Sequence, residues 1–185
     1  MAIGRLVIPL YTQMLEALLG QLHKAAATRE TDHDLVRLGE CCLAPGMSPL
    51  FDHIRLACSQ AAEVVARLQG GPLPVIGRPN TLAEAEEAIG AALMTIDSAR
   101  GSKIDDAAAT LIRLDHDDGL SFVLSGEDYV RDWALPQFHF HLVTAYAIMQ
   151  TAGVPLGTVD YAAHMFRYLD RPETPTGAPR PAGRR

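Results

Sequence analysis

The sequence predicts an all-α four-helix bundle with a small β-hairpin set before its last long helix. Three observations carry this. Alanine and leucine are plentiful while aromatic residues make up only 6%, a mix that favours helices over sheet. Four long segments repeat apolar residues at three- and four-residue spacing, the period of a helix with one buried face. Two short β-prone runs, Ala109 to Leu114 and Leu120 to Leu124, flank an acidic turn, the pattern of a single hairpin.

The first helix is predicted over Pro9 to about Ala27. Leu10, Met14, Leu18 and Leu22 recur every four residues, with Leu15 and Leu19 beside them. Proline suits a helix start because its missing N–H is unused there. Asp32 or Asp34 caps a short second piece, Leu35 to Cys41, and Leu43 to Ser48 is a loop. The next long helix starts at Ser48 or Pro49 and runs to about Gln69, where Gly70-Gly71 ends it. Its buried stripe is Leu50, Ile54, Ala57, Cys58, Ala61, Val65 and Leu68. An extended linker, Gly71 to Asn80, follows. Thr81-Leu82-Ala83-Glu84 reads as a capping box for a third helix to about Ser98, burying Leu82, Ala85, Ile89, Ala92, Leu93 and Ile96. After the hairpin, Gly126-Glu127-Asp128 opens a helical approach. Pro136 starts or kinks the last long helix, which ends at Gly153.

The 185 residues suit one domain over residues 1–168. From 169 to 185 the chain is rich in proline and arginine with almost nothing to bury, the composition of a disordered tail. The overall charge is −6. An acidic body argues against nucleic acid as a partner. No apolar run reaches membrane-spanning length, and the first residues lack a signal-peptide pattern. Three cysteines, two of them adjacent (Cys41, Cys42), show no zinc-type spacing and read as free thiols of a cytoplasmic protein. No activating neighbour marks Cys41 or Cys42 as a nucleophile. Cys58 faces the core, where thiols are inert.

The candidate chemistry lies in Leu135 to Met149, an almost wholly apolar helix that carries two histidines and a threonine. A polar side chain in such a helix needs a partner. On a wheel at about 100° per residue, His141 shares a face with Gln137, Thr144, Ala145, Ile148 and Ala152, while His139 lies roughly 160° away. Gln137, His141 and Thr144 are therefore the pocket candidates. His53 sits roughly 85° from the centre of its helix's stripe and can reach inward at the bundle's end. Asp52 points away from the core. Two readings stand. In one, His53 and His141 hold a divalent metal (zinc, nickel or iron) from two helices, weakly, because zinc sites normally use three or four protein ligands. In the other, each histidine is a hydrogen-bonded structural residue. His139 belongs to a surface or interface, His116 to the exposed turn of the hairpin, and His23, His33 and His164 show no partner in the sequence. Tyr146, Val143 and Met149 leave apolar surface away from His141, which points to a homodimer. No residue is assigned a catalytic role.

Three segments together carry a resemblance to a known family. They are Leu43-Ala44-Pro45-Gly46-Met47-Ser48-Pro49-Leu50 with Ile54-Arg55-Leu56-Ala57-Cys58; Ala134-Leu135-Pro136-Gln137-Phe138-His139-Phe140-His141; and Thr144-Ala145-Tyr146-Ala147-Ile148 with Gly153-Val154-Pro155-Leu156-Gly157 and Asp160-Tyr161. Over about Ile8 to Ala162 the chain resembles the bacterial family of domain of unknown function nineteen ninety-three. That family is grouped with the DinB/YfiT-like four-helix bundles, proposed metalloenzymes. The resemblance implies a DinB-like bundle with a three-histidine metal site, one ligand from the second long helix and two from a His-x-x-x-His pair. Some members of the superfamily act as thiol-dependent transferases or isomerases. His141 matches a helix-borne ligand and His53 the ligand of the second helix, but Ala145 stands where the second histidine of the pair belongs. The missing third ligand leaves two functional readings: a weak or degenerate metal-dependent enzyme acting on an unknown small molecule, or a non-catalytic dimerising binding protein that has lost the metal.

Deleting residues 171–185 is expected to change stability by less than about 1 kcal/mol, a melting shift of no more than roughly 2–4 °C. A large loss in a thermal melt contradicts the tail assignment.

Overall fold

The computed structural model describes residues 3–100, 103–115 and 118–170. Among them the order is α1 (Ile3–Ala27), α2 (Asp32–Gly39), α3 (Leu50–Gln69), α4 (Leu82–Ser98), a 3-10 segment (Lys103–Ala109), β1 (Leu111–Asp115) and β2 (Ser121–Ser125). The single turn α5 (Gly126–Asp128), a π-wound turn (Tyr129–Ala134), α6 (Leu135–Thr151), α7 (Thr158–Tyr161) and a second 3-10 segment (Ala163–Tyr168) follow. Helices α1, α3, α4 and α6 form the four-helix bundle. α3 packs against both α4 and α6, and α1 closes the bundle against α4 and α6.

The central helix follows its sequence closely. Every residue of the expected α3 stripe is buried, and Phe51, His53, Ala62 and Val64 are buried as well. A helix flanked by partners on several sides loses more surface than one stripe. Gly70 ends α3 in the left-handed region at φ 68°. The N-cap is Pro49, without a side-chain cap, in place of Ser48. Thr81 caps α4 by accepting from the Glu84 N–H at 3.2 Å. The Glu84 carboxylate returns to the Asn80 N–H at 2.8 Å, one residue earlier than a capping box requires.

Two boundaries differ from the expectation for physical reasons. α1 begins at Ile3, so Pro9 lies inside the helix. An interior proline costs about 3 kcal/mol. Ile3, Val7 and Ile8 are all buried, and each such side chain returns about 1.5–3 kcal/mol, so burial outweighs the lost bond. α2 starts at Asp32 and is capped by the Thr31 hydroxyl, with neither Asp32 nor Asp34 as cap. The expected limits, Leu35 and Cys41, followed from placing the cap at Asp32 or Asp34.

The hairpin pairs Leu111 with Ser125 and Asp115 with Ser121 in antiparallel register. Ile112 and Leu114 face the bundle and are buried. Its acidic turn includes His116, which lies outside the described residues. Ser125 then caps α5 by accepting from the Asp128 N–H. Pro136 has no N–H to return to the Asp132 carbonyl, and the turn before it is wound in the wider π register. Pro136 thus sits in the first turn of α6, and the helical path from α5 runs through it. Gly153, at φ 87°, turns the chain out of α6. α7 and the 3-10 segment after it have no counterpart in the sequence reading.

Close approach of α2 to α3 depends on Gly39, because a Cβ there falls inside the buried Phe51 ring. Gly39→Ala is expected to destabilise by about 1–3 kcal/mol. Gly20→Ala, at a mid-helix position with nothing within 4 Å, is expected to stabilise by roughly 0.5–1 kcal/mol. Denaturant melts of the two variants check the contrast, and an unaffected Gly39→Ala contradicts the packing.

Candidate functional site: a buried histidine pair

Two helices bring one histidine each to the same point. His53 is in the first turn of α3, where the Cys41 carbonyl accepts from the Leu50 N–H at 2.9 Å and anchors the helix start. His141 is in the second turn of α6. Ala57 and Ala61 on α3 and Ala145 on α6 are fully buried, in two helices that pack against each other. The Nδ1 atoms of His53 and His141 lie 3.1 Å apart, within hydrogen-bond distance. The residues are 3% and 8% exposed. One ring donates its Nδ1–H and the other accepts, so a neutral pair needs opposite tautomers. No hydrogen-bond partner of adequate geometry reaches Nε2 of His53, which is buried.

Burial drives both imidazoles toward the neutral form. It pushes His141 down to about 4, helped by the charges that His53 and Arg55 would place beside it. Burial also lowers His53, while the Ser48 backbone and the Asp52 carboxylate pull it partly back. Asp52, which the sequence reading turned away from the core, is engaged by two arginines. Its Oδ1 accepts from Arg78 Nε at 3.1 Å and lies 4.0 Å from Arg55. Arg78 also donates from Nη2 to both Glu40 oxygens at 2.8 Å. The guanidinium therefore straps the linker to the start of α3, beside His53.

The donor set can be tested against a metal. Two imidazole nitrogens on one zinc, at about 2.0–2.1 Å each, stand roughly 3.0–3.4 Å apart at ordinary bond angles. The observed 3.1 Å matches that bite. A resident centre needs more, and among the described residues no group of three or more His, Cys, Asp or Glu side chains is placed to hold an ion. Ala145, four residues after His141, is fully buried and is no ligand. The residues present supply two ligands and do not make a three-histidine centre.

The other candidates are placed differently. Thr144 is buried but donates from Oγ1 to the Phe140 carbonyl at 2.7 Å, a bond within its own helix. Gln137 is half-buried one turn before His141. His139 points to the other side, with Nδ1 3.2 Å from the Tyr161 hydroxyl, and burial lowers its pKa. His23 lies 3.6 Å from Glu86. Cys41, Cys42 and Cys58 are free, and burial pushes the Cys58 thiol up to about 12. Of the residues expected to leave apolar surface on the last helix, Val143 is half-exposed. Met149 is fully buried, and Tyr146 stacks edge-on against Tyr161 at 6.0 Å. A cleft of about 480 Å³ lies away from the pair, lined by Arg29, Asp34, Arg37, Glu40, Cys41 and Ala152 among others. The sequence reading missed the Phe140 ring, whose centroid is 6.0 Å from His53 and 5.2 Å from His141. Its one signal was a large apolar residue directly before His141.

Comparison with known proteins places these features. A family model described as "Domain of unknown function (DUF1993)" matches residues 5–162. No relative is found among curated proteins. The crystal structure of a DinB family member protein from Shewanella denitrificans is similar at 28% identity and a TM-score of 0.76, covering 96% of each chain.

The neutral pair sets a pH dependence. An unfolded histidine titrates near 6.5 and His141 in the fold near 4. Between those values the unfolded chain binds more protons, so this group makes stability fall as the pH drops from about 6.5 to about 4. From pH 7.5 to 4.5 the expected contribution is about 2 kcal/mol. A histidine-resolved NMR titration checks it, and a His141 midpoint near 6.5 contradicts it.

Proposed function

We propose, from the premise that this chain belongs to the DUF1993 family of DinB-like four-helix bundles, that its His53–His141 pair is a reduced metal locus. It takes a divalent ion weakly and exchangeably. His53 and His141 hold the ion, which is zinc, nickel or iron by the preference of imidazole ligands. The observation that carries this reading is the Nδ1 to Nδ1 spacing of 3.1 Å in a buried setting. A second support is that the pair is neutral at pH 7, since metal ligands must be unprotonated. With two protein ligands, the remaining positions belong to solvent or to an unknown small molecule. When bound, such an ion polarises an oxygen donor as a Lewis acid. Thr144 and Gln137 flank the locus on the same helix.

The setting we propose for this site is a cytoplasmic protein with one domain over residues 1–168 and a tail over 169–185. Its free cysteines support the compartment, and no described helix is long and apolar enough to cross a membrane. We further propose a homodimer. The apolar surface that supports it lies at Val143 and on the C-terminal segment, where Val159, Met165, Phe166 and Leu169 are each more than half exposed.

Metal titration of protein purified without a histidine tag tests the reading. Binding of about one ion is expected with a Kd weaker than roughly 0.1 μM, below the low end of structural zinc sites. His53→Ala and His141→Ala should each abolish it. Chelator-resistant metal means that a further ligand exists. No binding in the unaltered protein means that the bundle is a metal-free binding protein.

A further inference from the structure

We infer that the Phe140 ring is the gate of the histidine pair, shielding both imidazoles from solvent until its side chain turns aside. The inference deepens the metal reading and rests on it only for the identity of what enters.

Phe140 combines two properties that do not usually go together. It is a large apolar side chain that is 55% exposed on the outer flank of α6. Its ring nevertheless stands edge-on to both imidazoles, at 63° to His53 and 73° to His141. Edge-to-face contacts of this kind are worth about 0.5–1.5 kcal/mol each. The imidazoles behind it are almost fully buried. The ring therefore lies between solvent and a pair that includes an unpartnered buried nitrogen. The Phe140 backbone is fixed, because its carbonyl accepts from Thr144 Oγ1. What remains free is the side-chain rotamer, and exposed side chains change rotamer in picoseconds to nanoseconds. A fixed backbone with a free, half-exposed ring over two buried imidazoles has the properties of a gate. Val143, three residues on and 51% exposed, provides a neighbour of similar exposure for comparison.

Carbethoxylation by diethyl pyrocarbonate at pH 7, read histidine by histidine from peptide masses, tests this without any metal. The exposed His33 serves as the internal standard. In the unaltered protein His53 and His141 should react much more slowly than His33. In Phe140→Ala both should accelerate by roughly tenfold or more, the equivalent of losing about 1.4 kcal/mol of ring contact, with His33 unchanged. Val143→Ala should leave all three rates as they were. Phe140→Leu, which keeps most of the bulk, should lie between, and it decides the matter if Phe140→Ala does not fold. Unchanged rates at the pair, or equal acceleration in Val143→Ala, overturn the gate. Because the reaction involves no metal, failure of the metal titration leaves this result standing, and failure here leaves the metal reading intact.

Discussion

The close packing of α3 against α6 is the constraint on which the site depends. Ala57 and Ala61 on α3 and Ala145 on α6 are fully buried, the two helices pack together, and each carries one imidazole to the pair. Separate burial of either ring would leave polar nitrogens without partners, which is costly in a low-dielectric interior. Together the rings satisfy one nitrogen each. Ala145, four residues after His141, is fully buried and offers no third imidazole.

The electrostatics follow from that geometry. Two imidazoles at hydrogen-bond distance cannot both be charged without strong repulsion, and burial makes even one charge expensive. Both rings are thus neutral, and one Nδ1 carries the shared proton, which must move to Nε2 before both Nδ1 atoms can ligate a metal. Asp52, the carboxylate nearest in sequence to His53, is engaged by Arg78 and so is not offered as a third ligand. The Arg78 bridge to Glu40 and Asp52 places the linker, the end of α2 and the start of α3 in one network. Membership of the DUF1993 family and likeness to a DinB protein agree with the architecture.

Much of the fold was legible because helical periodicity is a local signal. The α3 stripe, the Thr81 cap, the Gly70 stop and the hairpin were readable within a few residues of chain. What failed was decided at long range. Ile3 to Ile8 joins α1 because those side chains find a buried place in the bundle, and proline spacing alone could not show that. Gly39 fits against Phe51, twelve positions away, and nothing local marks the contact. At the site, wheel geometry put His141 and His53 on inward-reaching faces of their helices. The same reasoning set Thr144 in a polar line, but its hydroxyl turned back to its own helix, as threonine at such positions often does. The roles of Arg78 and Phe140 depend on which helix ends meet, so neither could be read from periodicity.

The central claim is that His53 and His141 form one neutral, directly hydrogen-bonded pair. Nitrogen-15 NMR of histidine-labelled protein at pH 7 measures this most directly, because the tautomer of each ring and any coupling across the shared hydrogen bond are both visible. The account predicts opposite tautomers, Nδ1–H on one ring and Nε2–H on the other, with a coupling between the two Nδ1 nuclei. Identical tautomers with no coupling, or a charged ring at pH 7, would contradict it.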